Sequence, residues 1–203
     1  HMVGALAFGI AFVFIVVGRS ELFTENFLVP VTALRQGDIA RRKLAELWLL
    51  SPVFNLVGGT ALILIVSVHG VLPDGTGETL VKIAEGFDEN SALAAFCSAV
   101  AGGALITVMT WLVEGVGSIG GRIVCAWIGG ALLTLGSFNH VIVVTLEMLF
   151  GMRFGADIGG GDVAQNFALA AAGNMVGGLL FVTLTRTGQA IGASEKDDAD
   201  LSV

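Results

Sequence analysis

Two short polar stretches interrupt apolar sequence, and both contain side chains that carry a charge or could take one up. The first, GRSELFTEN, covers residues 18–26, and the second, GSFNH, ends at His140. An unperturbed histidine has a pKa of about 6.5, so His140 could gain or lose a proton near neutral pH. The first stretch carries three charges, and we expect Arg19 to pair with Glu21 or Glu25, with the alternative that Arg19 supplies a free positive charge.

The composition is that of an integral membrane protein. Of 203 residues, 55% are hydrophobic and only 13% are charged, whereas soluble domains carry roughly 25% charged residues. No basic patch suggests nucleic-acid binding, and Cys97 and Cys125 lie in apolar runs without a nearby Cys or His. The sequence has no evident nucleophile–base set or metal-ligand cluster. We therefore expect neither an enzyme nor a bound metal or cofactor.

Five apolar segments are long enough to cross a bilayer, which takes about 20 helical residues. They are residues 3–34, 46–70, 90–115, 122–150 and 163–186, and polar stretches interrupt the first and the fourth. Because four basic residues lie between the first two segments, we expect that loop in the cytoplasm; they are Arg35, Arg41, Arg42 and Lys43. Strict alternation then makes the C-terminus cytoplasmic, with residues 187–203 as a disordered tail.

The chain contains an internal repeat. The sequence from Asn55 to Gly59, N-x-V-G-G, recurs from Asn174 to Gly178, and the two interruptions lie at nearly the same offset. Both asparagines could line a path through the membrane, although hydrogen bonds between close-packed helices explain them better. The offset predicts two inverted three-helix halves, residues 3–70 and 90–186, with the first helix of the first half missing from this chain.

The motif SELFT, residues 20–24, followed by GSFNHVI, residues 136–142, resembles the formate/nitrite transporter family. The resemblance implies an all-α, aquaporin-like fold with broken second and fifth helices. It also implies a homopentamer in the bacterial inner membrane, with one anion path in each protomer. Within that path it implies a pore histidine at His140 and a loop threonine at Thr24 opposite it.

The resemblance further implies apolar constrictions and a polar pore wall. Leu22 and Phe23 would form one constriction and Leu133 a second, while the remaining path residues would be Phe138, Asn139 and Thr107. The sequence also departs from the family pattern, because Asn139 stands where a glutamate is usual and Thr107 where an asparagine is usual. The lysine expected around Asn90 or Ser91 is absent.

The leading interpretation is a channel or transporter for small monovalent anions of the formate or nitrite type. An anion that crosses an apolar constriction loses its hydration, and taking up a proton on the way would reduce that cost. Proton linkage through His140 is therefore part of the hypothesis, with the anion, protons and the lipid bilayer as partners. The alternatives are an aquaporin-like pore for neutral solutes and a membrane scaffold or sensor that does not transport.

Overall fold

The structure is a computed structural model that describes residues 2–189 and Gly192. Within these residues the regular structure is entirely helical. The helices, in chain order, are α1 (Met2–Gly18), a 3₁₀ turn (Phe23–Phe27), α2 (Val29–Gln36), α3 (Arg41–Val66), α4 (Thr76–Asp88), α5 (Ala92–Gly115), α6 (Ile119–Leu135), α7 (Val141–Arg153) and α8 (Gly160–Met175), which continues as a π-helix (Val176–Leu184). Most of the predicted tail, 187–203, lies outside the described residues.

The two predicted interruptions are confirmed. Residues Met2–Gly18 and Phe23–Gln36 form one apolar span that is bent by 61° at the first polar stretch. The second stretch separates α6 from α7, which have 17 and 13 residues. The other three predicted segments each contain a helix long and apolar enough to cross a membrane, namely Arg41–Val66, Ala92–Gly115 and Gly160–Gln189.

The region between α3 and α5 differs from the sequence-based expectation. The predicted spans 46–70 and 90–115 leave the residues between them as a loop, but α4 occupies much of this region. Its apolar residues recur at helical spacing, which is the pattern of an amphipathic helix; they are Leu80, Ile83, Ala84 and Phe87. Ala84 is fully buried against α7, where Gly151 leaves the space that it occupies. The sequence was assessed only for apolar segments long enough to span a membrane, so this shorter amphipathic helix was not predicted.

Small residues bring the interrupted helices together. Gly9 of α1 packs on the Trp127 backbone and ring of α6, and Gly130 of α6 packs on the Phe12 ring of α1. The Trp127 indole also donates a hydrogen bond to the Leu6 carbonyl at 2.8 Å. Close backbone approach of this kind needs residues without bulky side chains. α1 and α6 pack antiparallel, so the two interruptions that follow them start at opposite ends of the helix pair. Both segments turn back into the bundle, where Thr24 and His140 come within 2.6 Å.

The outer surface of the bundle is apolar. Large hydrophobic side chains are exposed along several helices, for example Phe14, Leu49, Phe54, Leu64 and Phe181. A water-soluble protein rarely exposes contiguous apolar surface on this scale. The surface is therefore suited to lipid or to other membrane-embedded protein.

Candidate functional site

Both helix interruptions begin with the same backbone strain. Arg19 has φ of 52° and Ser137 has φ of 48°, and each follows a glycine, Gly18 or Gly136. Positive φ is uncommon for residues other than glycine and asparagine, so these positions are locally unfavourable. The two positions are 118 residues apart, one fewer than the 119 that separate Asn55 from Asn174. The two interruptions therefore share a backbone conformation as well as a sequence offset.

The first interruption is held by the side-chain amide of Asn55 on α3. Its Nδ2 donates to the Glu21 carbonyl at 2.8 Å, and its Oδ1 accepts the Phe23 backbone N–H at 3.2 Å. One amide therefore satisfies a carbonyl and an N–H that the broken helix leaves without intrahelical partners. Trp48, also on α3, adds a hydrogen bond from its indole to the Asn26 carbonyl at 3.0 Å.

The second interruption uses Asn174 on α8 in the same way. Its Nδ2 donates to the Asn139 carbonyl at 2.9 Å, and its Oδ1 accepts the Val141 backbone N–H at 2.8 Å. A further bond from Nδ2 reaches the Ala99 carbonyl of α5 at 2.7 Å. The repeated asparagines thus hydrogen-bond between helices, as we favoured, and their partners are the exposed backbone groups of the two breaks. Asn174 lines neither of the two cavities described below.

His140 and Thr24 meet where the two interruptions touch. The His140 Nε2 lies 2.6 Å from the Thr24 Oγ1, although the residues are 116 positions apart in the chain. Both side chains are fully buried, and the Phe12 ring stands edge-on to the imidazole with 6.2 Å between ring centroids. The predicted histidine–threonine pair is therefore assembled by the fold.

The second hydrogen bond of His140 defines its tautomer. His140 immediately precedes α7, and its Nδ1 accepts the Val143 backbone N–H at 3.3 Å. Since an accepting nitrogen carries no proton, a neutral imidazole has its proton on Nε2 and donates it to Thr24. The hydroxyl hydrogen of Thr24 is then free to point towards another acceptor. This arrangement offers a hydrogen-bond donor to a small anion or polar solute.

Apolar side chains surround this buried pair. Leu22, Phe23 and Leu133, which we predicted as constrictions, are nearly inaccessible and belong to one hydrophobic cluster with Phe12 and Phe27. The Phe23 and Phe27 rings contact edge-to-face with 5.1 Å between centroids. These side chains form an apolar plug around His140 and Thr24.

A cavity of about 500 Å³ lies at the end of the bundle where α1 and α5 finish and α6 begins. We call it the α2–α3-side cavity. Its charged lining residues are Arg19, Glu21, Glu25, Glu114 and Arg122. The charges of the first polar stretch thus face open space inside the protein, which explains their place in an apolar segment.

A second cavity, of about 710 Å³, lies at the opposite end, where α1 and α5 begin and α6 finishes. We call it the α4-side cavity. Its polar and charged lining residues include Lys82, Asn90, Ser98, Asn139 and Glu147, and its apolar ones include Leu133 and Phe138. Neither His140 nor Thr24 lines either cavity. The two cavities are therefore separated by the apolar plug.

Two further predicted residues are Thr107 and Arg19. Thr107 is fully buried and, like His140 and Thr24, lines neither cavity; its hydroxyl donates to the Gly103 carbonyl of its own helix at 2.8 Å. The ion pair found within the described residues joins Arg42 and Glu46 of α3. Among these described residues, Arg19 forms no ion pair with Glu21 or Glu25.

Sequence reasoning missed two residues of the site region. Lys82 reaches the α4-side cavity from α4, a helix that was expected to be a loop. Asn166 of α8 accepts a hydrogen bond from the Asn139 side chain at 2.7 Å. The amphipathic spacing of α4 could have revealed the first, but no sequence pattern pairs Asn166 with Asn139. Across residues 2–189, no group of three or more His, Cys, Asp or Glu side chains is arranged to hold a metal.

Comparisons with known proteins identify a family and several proteins that this chain resembles. The profile of the family described as "Formate/nitrite transporter" matches residues 1–187. The chain is 26% identical over 182 residues to the inner membrane protein YfdC of Escherichia coli (strain K12), covering 88% of this chain and 58% of that protein. The chain thus spans less than two thirds of that relative's length.

Solved structures share the fold. A structure described as a pentameric formate channel with formate bound has a TM-score of 0.76 at 20% identity, covering 94% of this chain and 83% of that one. A structure described as an FNT family ion channel has a TM-score of 0.82 at 19% identity, covering 92% of this chain and 76% of that one. These two structures and the profile match confirm the predicted all-helical, aquaporin-like fold. The chain belongs to the formate/nitrite transporter family.

Proposed function

We propose that the protein conducts small monovalent anions of the formate or nitrite type across a membrane. The observation that carries the proposal is the buried hydrogen bond between His140 and Thr24 in a plug between two cavities. Family membership and the titles of the similar structures, one of which names formate, support the same substrate class.

The path begins or ends at the α4-side cavity, where Lys82 offers a positive charge. An anion attracted there meets the apolar side chains of Leu133 and Phe138 and loses hydration as it enters the plug. The Thr24 hydroxyl, whose oxygen accepts the His140 proton, directs its hydrogen to the anion. Hydrogen bonds to an ionised group are worth about 1.5–3 kcal/mol, so this donor offsets part of the desolvation cost.

Proton linkage follows from the same pair. With the imidazole neutral, both of its hydrogen bonds are satisfied, so His140 rests without charge between transport events. Taking a proton at Nδ1 would break the bond from Val143, which makes the imidazolium a transient species. From that species the Nε2 proton passes to Thr24 while the threonine hydroxyl hydrogen passes to the anion, and a neutral weak acid leaves the plug. The imidazole then keeps the proton on Nδ1, and loss of that proton with uptake of another at Nε2 restores the resting tautomer.

The proposal also includes the oligomeric state of the protein, the membrane in which it lies and its orientation there. The similar pentameric structure supports a homopentamer with one path in each protomer. The relative of Escherichia coli supports a bacterial inner membrane, and the basic α2–α3 region supports a cytoplasmic C-terminus. We infer that residues 3–70 and 90–186 are inverted half-repeats, since the positive-φ positions and asparagine clamps recur at the repeat offset.

Flux into liposomes that contain the full chain tests the central role of the histidine. With formate or nitrite on one side and an internal pH dye, His140→Asn should lower uptake at least tenfold and remove its dependence on pH. His69→Asn is the control, because His69 lies beyond the end of α3 and lines neither cavity. Undiminished uptake by His140→Asn, with its pH dependence unchanged, would refute the proposal.

A pore for uncharged solutes is the second candidate. It is favoured by the plug itself, whose side chains are apolar apart from the two neutral polar groups. In the same liposomes, passage of urea or glycerol as fast as formate would support this alternative. If the wild-type protein passes no solute at all, a scaffold or sensor function is favoured.

A further inference from the structure

Two buried asparagine side chains at the edge of the α4-side cavity share one hydrogen bond and leave matching groups unused. The Asn139 Nδ2 donates to the Asn166 Oδ1 at 2.7 Å. Among the described residues, the Asn139 Oδ1 and the Asn166 Nδ2 have no hydrogen-bond partner, and both atoms are buried. A buried amide that lacks a partner is costly, so a native protein usually supplies one.

The unused groups are complementary to a particular kind of molecule. One is an amide oxygen, which only accepts a hydrogen bond, and the other is an amide nitrogen, which only donates. If the oxygen and nitrogen of both amides were exchanged, the bond would reverse and the same two group types would remain. The pair therefore presents one acceptor and one donor however its amides are assigned.

The backbone around Asn139 holds this amide in place. Its N–H donates to the Ser98 Oγ at 2.9 Å, and its carbonyl accepts from Asn174. Ser98 and Asn139 both line the α4-side cavity, and Asn166 lies behind Asn139 at hydrogen-bond distance from its side chain.

We propose that the Asn139–Asn166 pair binds small uncharged molecules that both donate and accept hydrogen bonds, above all the protonated form of a short monocarboxylic acid. The acid O–H donates to the free amide oxygen, and the acid carbonyl accepts from the free amide nitrogen. An anion such as formate, nitrite or chloride only accepts, so it leaves the amide oxygen without a partner. This inference rests on the proposed function, and it names the uncharged acid as the species held in the α4-side cavity.

Binding is tested first, because it does not require transport. In proteoliposomes of the full chain labelled with ¹⁵N-asparagine, formamide serves as an uncharged probe with both a donor and an acceptor. Formamide should shift the side-chain amide resonances of Asn139 and Asn166, whereas sodium chloride, sodium nitrate and N,N-dimethylformamide, which only accept, should not. No shift with formamide, as expected if a tightly held water fills the pair, overturns the proposal, as does an equal shift with chloride.

Transport supplies a second readout with a matched control. Asn166→Leu removes the free donor and should lower formate uptake from acidic solution about two- to tenfold, the effect of one hydrogen bond. Thr145→Val removes a buried hydroxyl that also lacks a hydrogen-bond partner among the described residues but does not line the cavity, and it should leave uptake unchanged. Equal losses in both variants would contradict the proposal.

The two proposals fail separately. If formamide shifts the amide resonances but wild-type protein passes no anion, the amide site stands and the proposed transport function is wrong. If formate passes through a His140-dependent path but formamide leaves the resonances unchanged, transport stands and the amide site is wrong.

Discussion

The asparagines of the repeat, Asn55 and Asn174, occupy equivalent positions but should differ widely in their contribution to stability. Asn174 is fully buried and its amide serves three backbone groups, whereas Asn55 is half-buried and serves two. Leucine has nearly the shape of asparagine, so Asn174→Leu chiefly removes hydrogen bonds. Each buried group left without a partner costs about 1–3 kcal/mol.

For Asn174→Leu, three such groups predict a loss of about 4 kcal/mol after some relaxation of the backbone. For Asn55→Leu, only two groups lose their partner and the site is half-buried, so the loss should be about 2 kcal/mol. The assay is unfolding by SDS in mixed micelles, followed by tryptophan fluorescence, with both variants purified as full chains. Equal losses in the two variants, or an Asn174→Leu protein as stable as wild type, would refute the reasoning.

Three further outcomes follow from the packing and the cavities. Thr24→Val removes the hydroxyl that partners His140 and should lower formate flux about tenfold, measured in liposomes; unchanged flux would contradict that role. Gly103→Ala places a methyl group against the α8 backbone and should destabilise by more than 2 kcal/mol in the SDS assay, whereas Gly58→Ala, with open space around it, should change stability by less than about 1 kcal/mol. Lys82→Gln should slow anion entry at low salt, and this deficit should shrink in high salt because ions screen the charge; a salt-independent deficit would argue for a structural role.

Much of the architecture could be predicted because it depends on local properties of the chain. Membrane residence follows from hydropathy, and the two breaks follow from polar, glycine-containing stretches inside apolar segments. The pore candidates His140 and Thr24 came from motifs of a known family, whose match over residues 1–187 is confirmed. Their roles in transport remain predictions.

Other features were missed because they depend on neighbours distant in sequence. The expected ion pair of Arg19 did not form, and Arg19, Glu21 and Glu25 line the α2–α3-side cavity without pairing. Lys82 was assigned to a loop, because α4 is too short and too polar to register as a span. The place of Thr107 on the path came from motif alignment and stays a prediction, and its hydroxyl bonds within its own helix.

The sequence by itself determined that this is a helical membrane protein with two related, interrupted helices. Hydropathy, glycine content and the repeated N-x-V-G-G motif are properties of neighbouring residues, so they can be read along the chain. Only the tertiary structure decided that His140 donates to Thr24, that Asn139 bonds Asn166, and that cavities approach the plug from both ends. Such contacts depend on distances of a few ångströms between segments more than twenty residues apart, which helix packing sets and linear periodicity does not encode.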